Sequence, residues 1–169
     1  MSEVSQNRGR QGSKRRKILI GGTFDIIHPG HIHLIEYASR LGDLVVVVSR
    51  DDNSKRFKGR DTIIPEEQRL KVVSSIKGVK KAILGNRSDI FKIVEEVKPD
   101  IIVLGPDQKV NEEELRRRIE KASLKTEIIR LKERYEGYPY CSTSSIVKKV
   151  LEIFCKVERG KDNRDEPVD

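Results

Sequence analysis

Short apolar runs alternate with amphipathic stretches along most of this chain, from residue 17 to residue 157. The runs are rich in Ile and Val, which is typical of strands buried on both faces. Between the runs, apolar residues recur at helical spacing. The pattern predicts strands at Lys17–Gly21, Asp43–Ser49, Lys80–Leu84, Asp100–Leu104 and Glu127–Leu131, and helices at Gly30–Leu41, Pro65–Ile76, Asp89–Val97, Asn111–Lys121 and Thr143–Val157.

The alternation of strands and helices predicts an α/β fold: a single Rossmann-like open parallel sheet of about five strands with helices on both faces. Ligands of such sheets bind beyond the carboxyl ends of the strands. The 169 residues fit one domain. Residues 1–16 are basic and lack apolar periodicity, so they predict a disordered arm. We expect the folded domain at 17–159 and a flexible tail at 160–169.

The formal net charge of +8 is shared between the arm and the domain. A moderately basic domain suits a polyanionic substrate such as a nucleoside triphosphate, and it also suits RNA, so charge alone does not decide. The N-terminus shows no apolar signal segment, and the longest apolar run, Leu44–Val48, is too short to span a bilayer. Two cysteines do not make a disulfide framework. We therefore expect a cytoplasmic protein without a membrane partner.

The segment from Gly22 to His31 follows the first predicted strand and opens the first predicted helix. A helix start offers unpaired backbone N–H groups and the positive end of the helix dipole to an anion. His28 and His31 are three residues apart, so both rings lie on one helix face and can donate to phosphate oxygens. Gly30 is expected to leave open space for that phosphate. The alternative is a glycine-proline turn with incidental histidines.

These residues carry a family resemblance. Gly22-Thr23-Phe24-Asp25 followed by His28-Pro29-Gly30-His31 resembles the signature of the cytidylyltransferase-like nucleotidyltransferases. Those enzymes join a nucleoside triphosphate to a phosphate or alcohol and release pyrophosphate. Within the family the chain most resembles the archaeal FAD synthases, and it is also similar to the glycerol-3-phosphate cytidylyltransferases. The resemblance implies catalysis by His28 and His31, with Gly22, Thr23 and Phe24 at the nucleotide.

Two further segments follow predicted strands, and one further candidate lies on a predicted helix. The charged segment 51–60 is interpreted as a loop, in which Lys55 and Lys58 would neutralise a triphosphate; the alternative is a solvated charged loop. The family has a lysine here, which implies a catalytic role for Lys55 and a substrate contact for Lys58. The resemblance also implies substrate contact by Arg69, for which the alternative is a surface arginine. Asp107 follows a strand and is a candidate for nucleotide binding. The alternative is that this segment only forms a turn.

The last candidate element precedes the final predicted helix. A Ser/Thr cluster there would cap the helix and present N–H groups to an anion. The family pattern Arg-Thr-Glu-Gly-Ile-Ser-Thr-Thr matches this chain at Arg134, Glu136, Gly137, Ser142 and Thr143. Arg134, Ser142 and Thr143 are therefore candidates for nucleotide binding.

The chain departs from that pattern by a longer stretch containing Tyr138 and Tyr140. The insertion argues against plain glycerol-phosphate chemistry. The two rings can stack on a flat group such as isoalloxazine or adenine. Alternatively, they are loop tyrosines that pack on their own domain.

The resemblance thus implies synthesis of FAD from ATP and FMN, with a divalent metal, Mg²⁺, bridging phosphate oxygens. Asp25 would help to place the metal or only fix the turn, and the metal ligands stay unknown. The nearest alternative is a CTP-dependent cytidylyltransferase acting on glycerol 3-phosphate. A different class is a nucleic-acid-binding module that uses the basic arm, but this leaves the histidine pair unexplained, so nucleic acid is disfavoured as a partner. The oligomeric state stays open, with a homodimer as one option.

Overall fold

A computed structural model describes residues 15–89 and 91–161, so most of the predicted arm and tail lie outside the described residues. The strands are β1 (Lys17–Gly22), β2 (Asp43–Val48), β3 (Val79–Leu84), β4 (Ile101–Leu104) and β5 (Glu127–Arg130). The helices are α1 (Pro29–Leu41), α2 (Asp51–Lys58), α3 (Glu66–Ser74), α4 (Lys92–Val97), α5 (Glu112–Lys121) and α6 (Thr143–Lys161).

The five strands form one parallel sheet in the order β3-β2-β1-β4-β5, which confirms the predicted Rossmann-like sheet. Ile18 of β1 pairs with Leu44 of β2 and with Ile101 of β4, so β1 lies at the centre. All residues of β2 after Asp43 are buried, as its run of valines predicts for a strand covered on both faces.

Two apolar clusters confirm that helices cover both faces. Side chains alternate across each strand, so neighbouring residues of β1 belong to different clusters. Ile18 and Ile20 pack with α1 and α3 on one face, whereas Leu19 packs with α4 and α5 on the other. Burying two such faces removes a large apolar area from water, which is the dominant stabilising contribution in a domain of this kind.

The strand order reverses at β1, where β2 leads one way and β4 the other. Crossover connections leave in opposite directions from this point and open a crevice at the carboxyl ends of the two strands. Gly22 ends β1 and Gly105 follows β4, so the crevice lies between these glycines. The residues of the predicted site follow these ends or those of the strands beside them.

The interpretation of segment 51–60 as a loop is wrong, because residues 51–58 form helix α2. The helix has aspartates at its start, basic residues at its end, and Gly59 in the left-handed conformation (φ 69°) as its cap. The N–H of Gly59 donates to the carbonyl of Lys55 at 2.8 Å. Among the α2 side chains whose burial the structure describes, the buried ones, Asn53 and Ser54, are polar. Its charge pattern and glycine were the available signals.

The described chain also differs from the predicted boundaries at both ends. The N–H of Asp43 donates to the carbonyl of Arg16 at 2.8 Å, and Arg15 pairs with the Asp43 carboxylate at 3.3 Å. Residues 15 and 16 therefore pack on the domain. Helix α6 extends to Lys161, into the predicted tail. Within the described residues, no helix is both long enough and apolar enough to cross a membrane.

Candidate active site

The two histidines stand face to face at the start of α1. Their ring centroids are 3.7 Å apart and the ring planes differ by 21°. His28 is the N-cap residue, and its ring Nδ1 accepts the N–H of His31 at 3.3 Å while its carbonyl accepts the same N–H at 2.9 Å. Phe24 also packs against His31, with ring centroids 5.0 Å apart. Capping and packing thus fix both imidazoles relative to the helix start.

The environment keeps both rings neutral at ordinary pH. Burial lowers the pKa of His28, and the positive charge of Lys58 lowers it further. Burial lowers the pKa of His31 from 6.5 to about 3, with smaller contributions in the same direction from His28 and Lys58. Because Nδ1 of His28 is a hydrogen-bond acceptor, the proton of its neutral ring is on Nε2. The Nε2–H group of His28 can then donate a hydrogen bond to an acceptor on another molecule.

The space beside Gly30 is filled and not open, so the expectation of a phosphate cavity at this residue is wrong. A Cβ on residue 30 would lie 2.8 Å from the carbonyl oxygen of Cys141 and 3.1 Å from Nδ1 of His28. Real Cβ atoms do not approach a backbone oxygen so closely. Glycine is required because the segment before α6 packs directly on the start of α1.

The turn between β1 and α1 is strained at Phe24. This residue has a φ of 51°, which is unusual for a bulky side chain, and it is 1% exposed. A Cβ on Gly22 would lie 3.0 Å from the Phe24 ring, so a larger residue would crowd the turn. Thr23 lies between them and receives a hydrogen bond from the Ser49 hydroxyl at 3.4 Å. Such strain is typical of functional turns.

Asp25 is buried and fixes a neighbouring loop. Its Oδ1 accepts the N–H groups of Ile63 and Ile64, both at 2.9 Å. Its Oδ2 faces Nη1 of Arg60 at 3.5 Å, and the side chain is 1% exposed. Of the two roles that the sequence leaves open, this arrangement favours fixing the turn.

Arg69 is the largest fully buried side chain among the described residues, at 1% exposed. Its guanidinium donates to the carbonyls of Thr23, Ile64 (2.8 Å) and Ser49 (2.9 Å), and to Oδ1 of Asp51 (2.5 Å). A buried group with these partners has no path to a ligand, so the expected substrate contact does not fit. Arg69 is a positioning residue that joins the ends of β1 and β2 to α3.

Helices α2 and α3 cap each other through two carboxylates. The N–H of Asp51 donates to Glu66 at 2.8 Å, and the N–H of Glu66 donates to Asp51 at 3.2 Å. Burial opposes the charge on each, but hydrogen bonds from Thr62 and Arg69 to Asp51, and from Arg50 to Glu66, lower both pKa values. Both groups therefore stay ionised at neutral pH, and the exchange fixes α2 beside the site.

The two candidate lysines of α2 have different surroundings. Lys58 is close enough to the histidines to lower the pKa of both. Desolvation lowers the pKa of Lys58 itself, and the nearby charge of Arg60 adds to the effect. Lys55 instead pairs with Asp61 at 3.0 Å, and its side chain is 65% exposed. The structure therefore favours Lys58 over Lys55 as the cation beside the imidazoles.

Asp107 and Arg134 form an ion pair at the end of β4, with 2.6 Å between Oδ1 and Nε. Sequence reasoning missed Gln108, which builds this loop. Its side chain accepts the N–H of Gly105 at 3.0 Å and donates to the carbonyl of Gly21 at 2.5 Å. Gln108 thus ties the loop after β4 to β1. The only sequence signal for Gln108 was its position after a strand, because a glutamine in a turn has no specific meaning by itself.

Two serines at the start of α6 cap the helix through reciprocal hydrogen bonds. The N–H of Ser145 donates to the hydroxyl of Ser142 at 3.1 Å, and the N–H of Ser142 donates to the Ser145 hydroxyl at 3.3 Å. This reciprocal arrangement is a capping box with serine in both positions. Thr143 is the first residue of the helix. Part of the predicted anion-binding group is therefore already used for capping.

Tyr138 and Tyr140 are 61% and 41% exposed. Tyr135, which sequence reasoning missed, stacks on His33 with ring centroids 4.8 Å apart, and Tyr138 tilts against it at 6.2 Å. These rings lie on the segment that packs over α1, and both interpretations of the two tyrosines stay open.

A metal held by protein ligands does not fit the described residues. They contain no group of three or more His, Cys, Asp or Glu side chains that could hold an ion. Asp25 is the carboxylate expected to help place one, and its Oδ1 already accepts the N–H groups of Ile63 and Ile64, while its Oδ2 is buried without a hydrogen-bond partner in the part of the chain that the structure describes.

Comparison with known proteins identifies the family of this chain. The model of the cytidylyltransferase-like family matches residues 19–149. The chain is 46% identical over 147 residues to the FAD synthase of Methanopyrus kandleri, covering 85% of this chain and 97% of that protein. It is 49% identical over 138 residues to the FAD synthase of Archaeoglobus profundus, covering 81% and 87%.

Among solved structures, a lipopolysaccharide core biosynthesis protein from Thermoplasma volcanium is 44% identical, with a TM-score of 0.67. The alignment covers 72% of this chain and 99% of that one. The chain therefore belongs to the cytidylyltransferase-like family and is a nucleotidyltransferase. The curated relatives that it matches at this level are archaeal FAD synthases.

Proposed function

We propose that this nucleotidyltransferase is an FAD synthase that transfers the adenylyl group of ATP to FMN and releases pyrophosphate. The observation that carries the proposal is the stacked His28–His31 pair at the start of α1. The pair lies in a chain that matches an FAD synthase over 97% of that enzyme's length.

The reaction needs no covalent intermediate with the protein. An oxygen of the FMN phosphate attacks the α-phosphorus of ATP, the bond from that phosphorus to the bridging oxygen breaks, and pyrophosphate leaves. Charge moves onto the phosphoryl oxygens and the leaving group during this step. The protein therefore contributes positioning and fixed charges or dipoles that stabilise the transition state.

The histidines act as neutral donors in this proposal. Nε2 of His28 carries its ring proton, because Nδ1 accepts the N–H of His31. It would donate to an oxygen of the transferring phosphoryl group, and His31 would line the same position. Lys58 supplies the positive charge. A neutral ring that is already oriented costs no reorganisation when the charge develops.

Other candidates would act on the phosphates and the base. Arg134 would exchange Asp107 for a phosphate when ATP binds, since both side chains are more than half exposed. Thr143 and the start of α6 would hold the β- and γ-phosphates. Gly22, Thr23 and Phe24 would line the nucleotide. We expect Mg²⁺ to enter with ATP, held mainly by phosphate oxygens, as is usual for this ion.

A pyrophosphate-release assay tests the substrate assignment. ATP and CTP are each combined with FMN and with glycerol 3-phosphate, and products are separated by chromatography. We expect turnover with ATP and FMN, with FAD as product. Turnover only with CTP and glycerol 3-phosphate would overturn the proposal and leave a cytidylyltransferase. Location in the cytoplasm and assembly as a homodimer stay predictions.

A further inference from the structure

A groove of about 580 Å³ separates helix α6 from the loop before α3. Val147 and Leu151 of α6 form one apolar wall, and Ile63 lies in the other. Leu151 is 55% exposed and Ile63 is 50% exposed, so both side chains are accessible to a ligand in the groove. The charged side chains that line the groove are Arg60, Lys148 and Glu152. This volume lies within the range of small-ligand sites, which are mostly apolar with a few polar groups.

The groove adjoins the active site through Asp25. Ile63 donates its N–H to Oδ1 of Asp25 at 2.9 Å, and Arg60 lies 3.5 Å from Oδ2 of the same carboxylate. On the other side, the lining begins at Ser144, directly after Thr143 in the first turn of α6. A ligand in the groove would therefore lie between the loop that Asp25 holds and the first turn of α6.

We propose that this groove binds the isoalloxazine ring of FMN, an inference that rests on the proposed function. The ring is flat, wide and apolar on both faces, which suits a slot between Ile63 and the Val147–Leu151 wall. One edge of the ring carries two carbonyl groups and the ring nitrogens, which suits the cationic donors Arg60 and Lys148. Glycerol 3-phosphate has no group that would use an apolar slot.

The proposal assigns specificity to residues that the sequence did not mark. Ile63, Val147 and Leu151 would determine the acceptor by binding its ring, while the histidines act on the phosphate. Tyr138 and Tyr140 do not line this groove. A flavin ring bound in this groove would therefore not stack on either tyrosine.

The test compares Leu151→Gln and Ile63→Gln with Ile153→Gln. Ile153 is 49% exposed on the same helix but does not line the groove, so it is a matched control. Binding of FMN alone is measured by the change in flavin fluorescence, and KM values for FMN and ATP are measured separately. We expect the FMN Kd and KM to rise about tenfold in the groove variants, as for loss of one buried aliphatic side chain. The KM for ATP and all constants of Ile153→Gln stay within about twofold.

Unchanged FMN constants in both groove variants, in an enzyme whose wild type makes FAD, would overturn the groove and leave the function intact. An equal rise in the KM for ATP would overturn it as well, because the groove would then serve the nucleotide. If the wild type makes no FAD but binds FMN, weaker binding in Leu151→Gln still supports the groove while the function fails. If the wild type does not bind FMN, both proposals fail.

Discussion

The carbonyl oxygen of Cys141 lies where a side chain on residue 30 would begin, 2.8 Å from the position of a Cβ on Gly30. The segment before α6 is thereby held on the start of α1, beside the histidine pair. This contact joins two motifs that are distant in sequence. It brings the predicted phosphate-binding start of α6 to the predicted catalytic start of α1.

Replacing Gly30 with alanine tests this contact. The added methyl group must displace the Cys141 backbone, so we expect Gly30→Ala to lower the free energy of unfolding by about 1 to 3 kcal/mol. Gly21→Ala is the control, because its nearest neighbours would lie 3.9 Å away. Urea denaturation of both variants measures the difference. Equal stability of the two variants would show that the segment does not pack on Gly30.

Arg69 is expected to stabilise the site's scaffold. Arg69→Met leaves the carbonyls of Thr23, Ser49 and Ile64 and the Asp51 carboxylate without their shared donor. We expect a loss of about 3 to 5 kcal/mol in the free energy of unfolding, as for breaking a buried charged pair. Lys71→Met, at an exposed position of the same helix, should change it by less than about 0.5 kcal/mol. Chemical denaturation of both variants decides, and a loss below about 1 kcal/mol for Arg69→Met would refute the assignment.

The two lysines of α2 should differ in their effect on turnover. Lys58→Ala removes the cation beside the imidazoles, and we expect kcat to fall about tenfold to a hundredfold. Lys55→Ala removes a side chain that pairs with Asp61, and we expect kcat to change less than about threefold. Steady-state rates of FAD formation distinguish them. A larger effect of Lys55→Ala would restore the assignment that the sequence alone favoured.

His31 should make stability depend on pH. Its pKa is about 3 in the folded chain and 6.5 when unperturbed, so between these values the unfolded chain binds a proton that the folded chain does not. Stability is therefore lost as pH falls through this window. From pH 6.5 to pH 5 we expect wild type to lose about 1 to 2 kcal/mol more than His31→Asn. The free energy of unfolding at both pH values checks this, and parallel losses would contradict the buried neutral state.

Much of the fold could be predicted because it depends on local patterns. The strands of Ile and Val and the amphipathic helices α1 and α3 were visible in the spacing of apolar residues. Helix α2 was not, because the side chains that it is described as burying, Asn53 and Ser54, are polar, and its first N–H group is capped by Glu66 of α3. Periodicity detects apolar burial and is blind to helices held by polar tertiary contacts.

The site, too, has features that the sequence could predict and features that it could not. The sequence predicted His28 and His31 as site residues because their spacing on a helix start has direct chemical meaning. It could not show that Arg69 is buried, because a sequence contains no record of which acceptors surround a guanidinium. Nor could it show what fills the space at Gly30, since Cys141 reaches that position only in the folded chain.

We propose that the His28–His31 pair catalyses adenylyl transfer to FMN. The most direct test of this proposal is the rate of FAD formation from saturating ATP and FMN by His31→Ala, with His33→Ala as the control from the same helix. We expect kcat to fall by on the order of a hundredfold or more in His31→Ala, as for loss of one preorganised donor, and by less than about threefold in His33→Ala. A near-wild-type rate in His31→Ala would contradict it.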